Sequence, residues 1–122
     1  MYKLVVNKLD KEKLINQYFF LIGGYIETMM EKFLKKEAFG LDAMGILFKS
    51  DLDEENDEEE IEEIRNDQIL LVSEYPASTE DEKAYYYYNE FYEYLKIFID
   101  ENYNDNDKIN SLLSEIKIEF QL

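Results

Sequence analysis

Carboxylates crowd one stretch of this chain, residues 51–63, which we call the acidic run. Ten of its thirteen residues are Asp or Glu, and none is Lys or Arg. Carboxylates at this density can bind cations, or can attract the Lys and Arg side chains of a basic partner and so speed the encounter. A solvated acidic loop that only maintains solubility would have the same composition, so both interpretations remain open from the sequence.

The spacing within the acidic run also fits part of a calcium-binding loop. If Asp51 takes loop position 1, acids fall at positions 3, 5, 7, 9 and 12. However, position 6, which requires Gly for a sharp turn, is Asn56, and position 8, usually aliphatic, is Glu58. A run this dense satisfies an every-second-residue pattern by chance, so the sequence predicts no dedicated metal site and no cofactor.

The residue types that are missing exclude most common catalytic chemistry. The chain has no His and no Cys, so the Ser-His and Cys-His nucleophile arrangements are absent. It also lacks a glycine-rich phosphate loop, since Gly23 and Gly24 lie within a helical pattern. Among 29 Asp and Glu residues, no pair stands out as an acid–base pair. We therefore expect a protein that is not an enzyme.

The net charge of −16 is distributed unevenly along the chain. Residues 1–36 hold seven Lys against four acids (+3), whereas residues 37–122 hold six bases against 25 acids (−19). Such a field opposes direct nucleic-acid binding and favours a strongly basic protein partner. The predicted partner-binding residues are Asp53, Glu54, Glu55, Asp57, Glu58, Glu59, Glu60, Glu62, Tyr85 and Tyr87.

The two tyrosines in that set come from four consecutive ones, Tyr85 to Tyr88. Successive side chains of a strand point to opposite faces of the sheet, so alternate tyrosines must separate. Aromatic residues with a polar tip are favoured in interface cores as well as in protein interiors. We therefore expect one pair to pack in the core and the other pair to face a partner.

Apolar residues with helical spacing dominate residues 9–36. The stripe, which recurs at steps of three and four, consists of Ile15, Phe19, Ile22, Ile26, Met29 and Phe33. Gly23 and Gly24 interrupt it and predict a kink, a break into two helices, or the close approach of another element. Asp10 is the predicted N-cap, and Gly40 the predicted end of the helical region.

Short apolar runs after Gly40 predict strands at residues 43–49, 68–75 and 84–88, the last two pairing as a hairpin. Between the first two, Ile61 and Ile64 predict a helical turn at the end of the acidic run.

Two C-terminal helices are predicted after the last strand. Asn89 caps the first, which buries Phe91, Leu95 and Phe98, while Asn104 or Asp105 caps the second. The second helix carries Ile109, Leu112, Leu113 and Ile116. Residues 116–122 alternate between apolar and polar, so they form either a short strand that pairs with residues 2–6 or a continuation of the helix.

Two segments of the chain carry a resemblance to a known family. One is FGLDAMGILF at residues 39–48, after a helical region and before an acidic connector; the other is NEFYEYL at residues 89–95, before an acid-rich turn and a final helix. Over residues 10–117 this arrangement resembles bacterial contact-dependent growth inhibition (CDI) immunity proteins of the ribonuclease-toxin type. The resemblance implies tight binding and neutralisation of a cognate toxin domain, commonly a nuclease, and it transfers no catalytic residue.

The predicted fold is a single α+β domain over residues 1–122. It has N-terminal helices, a small antiparallel sheet of about three strands, and C-terminal helices packed on one face. The predicted function is inhibition by binding, in which an acidic surface covers the basic active-site cleft of a toxin nuclease. The alternative is an acidic DNA mimic that inhibits a nucleic-acid-binding defence protein. The longest apolar stretch is residues 18–22, so no membrane association is predicted and the expected location is the cytoplasm.

Overall fold

A five-stranded sheet organises the computed structural model, which describes residues 2–122. Its strands are β1 (Lys3–Leu4), β2 (Phe39–Leu41), β3 (Met44–Phe48), β4 (Gln68–Ser73) and β5 (Glu82–Tyr87). The spatial order is β1-β5-β4-β3-β2, with β1 parallel to β5 and all other neighbours antiparallel. The α+β class is confirmed, but the prediction of about three antiparallel strands is wrong, because the two edge strands contain only two and three residues and show no periodicity.

Four longer helices pack together on one face of this sheet. They are α1 (Lys8–Ile22), α2 (Ile26–Leu34), α4 (Tyr88–Asn102) and α5 (Asp107–Glu119). The remaining α-helix, α3 (Glu58–Glu63), is short and does not belong to this group. The predicted stripe of α1 and α2 is buried throughout. Phe91 of α4 lies against it, with its ring centroid 6.1 Å from that of Phe19 and 5.5 Å from that of Phe33. The predicted proximity of these two helical faces is confirmed.

The glycine pair separates α1 from α2. A 3-10 turn, Gly23–Tyr25, stands between the two helices, and a Cβ atom added at either glycine would meet nothing within 4 Å. Of the three predicted alternatives, the break into two helices is therefore the one observed. The predicted N-cap of α1 is wrong: Asn7 caps it, and its side-chain oxygen accepts the N–H groups of Leu9 and Asp10.

Gly40 does not end a helix, as was predicted, but lies in β2 opposite Gly45. A Cβ atom at Gly40 would come within 2.5 Å of the Met44 carbonyl oxygen and 2.7 Å of the Gly45 Cα. Only glycine permits this close approach of the two strands of the hairpin.

The C-terminal residues continue α5 to Glu119 instead of forming a strand. The N-terminal strand pairs with β5, through bonds from the Lys3 N–H to the Asp81 carbonyl and from the Val5 N–H to the Lys83 carbonyl. The tail is thus helical, and residues 2–6 find a different partner from the one predicted. Over residues 2–122, no helix has the length and apolar character needed to cross a membrane.

The second face of the sheet is covered in part by the connector between β3 and β4. Ala84 and Tyr86 of β5 belong to the helix-covered core, so Lys83, Tyr85 and Tyr87 point the opposite way. Lys83 and Tyr85 bond to carboxylates of α3, which therefore lies against this second face. The acidic run and the four longer helices thus occupy opposite sides of the sheet.

Candidate functional site

The first half of the acidic run is held in a tight turn by its own carboxylates. Asp53 accepts hydrogen bonds from the Glu55 N–H at 2.7 Å and from the Asn56 side-chain amide at 3.1 Å. Asp57 in turn accepts the Asp53 N–H at 2.8 Å. The hydrogen bonds that the Asp53 carboxylate accepts, chiefly the one from Glu55, lower its pKa below the ordinary value. The turn leads directly into α3, which begins at Glu58.

Helix α3 is attached to the sheet by a cluster around Lys83, which we call the Lys83 cluster: Lys83, Glu59, Glu60, Glu63 and Tyr85. The Lys83 Nζ lies 2.7 Å from Glu60 Oε2, 2.7 Å from Glu63 Oε1 and 3.3 Å from Glu59 Oε1. The Tyr85 hydroxyl donates to Glu63 Oε1 at 2.5 Å. Because the three glutamates all lie on α3, one buried ammonium group holds the whole helix against β5.

Burial and hydrogen bonding together set the protonation of the Lys83 cluster. Burial lowers the pKa of Lys83, but hydrogen bonds to Glu60, Glu63 and Glu59 raise it by more, so its pKa lies above the ordinary value. Burial raises the pKa of Glu63, but hydrogen bonds from Lys83 and Tyr85 lower it by more. The ammonium and the Glu63 carboxylate are therefore both charged at neutral pH.

A cavity of about 630 Å³ opens on the acidic run beside the Lys83 cluster. We call it the acidic cavity, and its lining consists of Tyr2, Glu55, Asn56, Asp57, Glu58, Glu59, Glu60 and Glu62. The only hydroxyl in that lining, on Tyr2, donates to Glu74 and so joins the cavity to the end of β4. Among the described residues that line the cavity, every ionisable group is an acid apart from this tyrosine, so a cationic group is the complementary ligand.

Four carboxylates of the acidic run have no partner among residues 2–122. Glu54, Glu55, Glu58 and Glu62 are exposed, and none of them forms a salt bridge or a side-chain hydrogen bond with the rest of residues 2–122. Three of the four line the acidic cavity. Their like charges repel one another, and a basic surface placed against them would relieve that repulsion.

The predicted partner-binding carboxylates form two adjacent groups in the structure. Six of them, Glu55, Asp57, Glu58, Glu59, Glu60 and Glu62, line the acidic cavity, and Asp53 and Glu54 lie just before it. Among the six, the Glu60 side chain is only 12% exposed, whereas that of Glu59, which also contacts Lys83 but at 3.3 Å, is 60% exposed.

The two predicted tyrosines do not share one location. Tyr85 is half-buried in the Lys83 cluster, while Tyr87 is 45% exposed at the other end of β5 and lines separate cavities with Asn89. The expected alternation is confirmed within β5, where Tyr86 is fully buried and Tyr85 and Tyr87 point the other way. Tyr88 begins α4 instead of extending the strand, and it packs against Phe120, with ring centroids 4.5 Å apart. The structure therefore brings Tyr85, but not Tyr87, to the acidic run.

Sequence reasoning missed Lys83, Glu63 and Tyr2 as parts of this site. Lys83 gave one usable signal, since it is the only basic residue between Arg65 and Lys96. A lone Lys next to an aromatic strand, downstream of a run of carboxylates, is a candidate for a buried ion pair. Tyr2 gave no signal, because its position depends on the parallel pairing of β1 with β5.

The calcium-loop spacing does not produce a converging set of ligands. Over residues 2–122, the one group of three or more acids close enough to share a cation is Glu59, Glu60 and Glu63. That set differs from the predicted loop positions, and the Lys83 ammonium already lies among its oxygens. A metal ion at this place would have to displace a buried Lys.

Comparison with known families gives one match. A sequence-family model described as CDI immunity protein matches residues 11–113. The matched region runs from α1 into α5 and includes the acidic run and all five residues of the Lys83 cluster. Comparison with curated proteins and with solved structures gave no match.

Proposed function

The chain belongs to the CDI immunity protein family, which acts in immunity against a toxin, and we propose that it neutralises a cognate nuclease toxin by covering its basic active-site cleft. The observation that carries this proposal is the acidic cavity with its exposed, unpartnered carboxylates. Nucleases hold phosphates with Lys and Arg side chains, so their clefts carry the positive charge that complements these carboxylates. The chain itself has no catalytic role in this proposal.

Two features of the acidic cavity suit it to occluding a cleft. The carboxylates extend along a turn and a helix, so they present a continuous stretch of negative charge, as a phosphate backbone does. Some of these carboxylates are fixed by the Lys83 cluster and by the Asp53 turn, which reduces the conformational entropy lost when the partner binds. The acidic charge pattern would also suit a DNA mimic directed at a defence protein, and the family match is what favours a toxin as the partner.

The proposal is tested by neutralising the unpartnered carboxylates alone. Glu54, Glu55, Glu58 and Glu62 are changed together to Gln, which leaves the Lys83 cluster and the Asp53 turn intact. The probe is the toxin domain encoded next to this chain, identified by co-purification and mass spectrometry and carrying an inactivating substitution. We expect association at low salt to slow by about tenfold or more, and its dependence on salt to flatten, because the steering charges are gone.

The matched control changes four exposed acids on the opposite side of the sheet, Asp100, Glu101, Glu115 and Glu119, to Asn or Gln. It removes the same amount of charge from α4 and α5, so a general effect of net charge would appear equally in both variants. If the two variants bind the toxin domain with the same kinetics, or if only the control loses protection in cells, the acidic cavity is not the toxin-binding surface.

A further inference from the structure

Lys83 is an unusual residue for its position. It is 1% exposed near the start of β5, whereas Lys is almost never fully buried unless it is paired. Its three carboxylate partners are themselves exposed to different degrees, by 60% for Glu59, 12% for Glu60 and 32% for Glu63. The ammonium therefore lies under the acidic surface, and the carboxylates above it remain in contact with solvent.

Helix α3 has little that would hold its shape without Lys83. It contains six residues, five of which are Glu, and a helix of this length is not stable by itself. Two of its like-charged pairs, Glu58 with Glu62 and Glu59 with Glu63, stand four residues apart, where they repel. Two other contacts, the burial of Ile64 just after the helix and the bond from the Tyr85 hydroxyl to Glu63, fix only the end of the segment.

We infer that Lys83 is a positioning residue for the toxin-binding surface: by binding Glu59, Glu60 and Glu63 it fixes α3 on β5 and so sets the arrangement of the exposed carboxylates around the acidic cavity. This inference rests on the proposed function. Lys83 itself does not reach the partner, because its side chain is enclosed. Lys83 affects binding only by fixing the position of α3.

Replacing Lys83 with Met separates geometry from charge. Met matches the Lys side chain as far as Cε and lacks the ammonium group, so the protein becomes more negative by one charge and electrostatic steering of a basic partner is maintained or slightly increased. If geometry matters, association with the inactivated toxin domain keeps its rate while dissociation accelerates by about tenfold or more. Lys83→Arg, which restores the cation, recovers most of the slow dissociation.

Hydrogen exchange of the unbound protein tests the structural half of the inference. The N–H groups of Ile61 and Ile64 donate to the carbonyls of Asp57 and Glu60 and report on α3. In Lys83→Met these two amides should exchange at least about tenfold faster, whereas the amides of α4 should be unchanged, because α4 lies on the other face of the sheet. Lys96→Met, at an exposed site on α4, is the matched control and should change neither set.

Glu63→Gln is the second variant, for use if Lys83→Met does not fold. It keeps Lys83 paired with Glu60 and should give a smaller acceleration of both exchange and dissociation. The inference is wrong if α3 keeps its protection in these variants, or if α3 loosens while dissociation stays as slow as before. Failure of the proposed function looks different, since the Gln substitutions at Glu54, Glu55, Glu58 and Glu62 would then leave binding intact whatever Lys83 does.

Discussion

Phe91 and Phe98 lie on the inner side of α4 but differ in burial. Phe91 is fully buried among Phe19, Phe33 and Phe120, whereas Phe98 is half-buried and stacks on Phe19 with ring centroids 5.2 Å apart. Phe91→Ala should lower the free energy of unfolding by about 3–5 kcal/mol, because it leaves a large cavity in the core. Phe98→Ala should cost clearly less, since water already reaches part of the ring.

Urea unfolding of both variants measures this difference. Equal losses for the two substitutions would mean that Phe98 is as enclosed as Phe91. The sequence predicted both residues to be buried, since they share one helical stripe with Leu95. It could not show that Ile99, beside the stripe, would be fully buried instead of Phe98.

Tyrosine hydroxyls form hydrogen bonds between distant parts of the chain that no local sequence pattern predicts. The Tyr86 hydroxyl donates to the Lys11 carbonyl at 2.6 Å, and the Tyr103 hydroxyl donates to the Gly23 carbonyl at 3.0 Å. The first ties β5 to α1, and the second ties the end of α4 to the turn between α1 and α2. Burial raises the pKa of Tyr86 above its ordinary value, so its hydroxyl stays a donor at neutral pH. From the sequence, tyrosines could be assigned to the core but not to these partners.

Asn106 is the cap of α5, at the scale of the helix. Its side-chain oxygen accepts the Ile109 N–H at 3.0 Å, so the predicted caps, Asn104 and Asp105, are wrong. Asn106→Ala should therefore lower the free energy of unfolding by about 1 kcal/mol. Asp105→Ala is the control and should change it by less than about 0.5 kcal/mol. Denaturant unfolding distinguishes the two, and the reverse order would place the start of α5 one residue earlier.

The sequence predicted those elements in which the apolar pattern extends over enough residues to be recognised. The stripe of α1 and α2, the apolar runs of β3 and β4, and the spacing of α5 each repeat several times. The edge strands are too short to repeat. Helix caps were misplaced because several neighbouring residues, such as Asn104, Asp105 and Asn106, have the same capping chemistry, and only the path of the chain selects one of them.

The candidate site was predictable in composition but not in arrangement. The density of acids identified the surface, whereas the ion pairs of Lys83 depend on a contact across more than twenty residues of sequence. The same contact makes Glu60 a structural residue instead of an exposed charge. Neutralising it together with its neighbours would add a loss of stability to any effect on partner binding, because Lys83 would remain buried with one partner fewer.

At the scale of the whole molecule, charge and packing are separated by the sheet. The four longer helices bury the main core on one face, and the acidic run, with ten of the 29 acids, lies on the other. Residues of the acidic run can therefore be substituted with little disturbance of the core. Such a separation also suits a binding protein whose contact surface must match one toxin, since exposed carboxylates can change without repacking of the interior.

The net charge of −16 also predicts how stability depends on salt and pH. At neutral pH the carboxylates repel one another, so screening should stabilise the fold; the Debye length falls from about 30 Å at 0.01 M to about 3 Å at 1 M ionic strength. We expect the melting temperature at pH 7.5 to rise by at least about 3 °C over this range, which corresponds to roughly 1 kcal/mol. Lowering the pH towards 5 should act in the same direction, because the net charge shrinks as the isoelectric point of about 4.2 is approached.

Below about pH 4 the trend should reverse, because Glu63 and Asp53 have pKa values below their ordinary ones in the folded state. In that window the unfolded state binds more protons than the folded state, so the free energy of unfolding falls as the pH falls. Protonation of Glu63 there removes one of the carboxylate partners of Lys83, and the amides of α3 should lose protection before those of α4. Urea unfolding between pH 3 and pH 8, at low and high salt, measures the whole profile. A stability that decreases steadily from pH 8 to pH 5, with no effect of salt, would show that self-repulsion does not limit this fold.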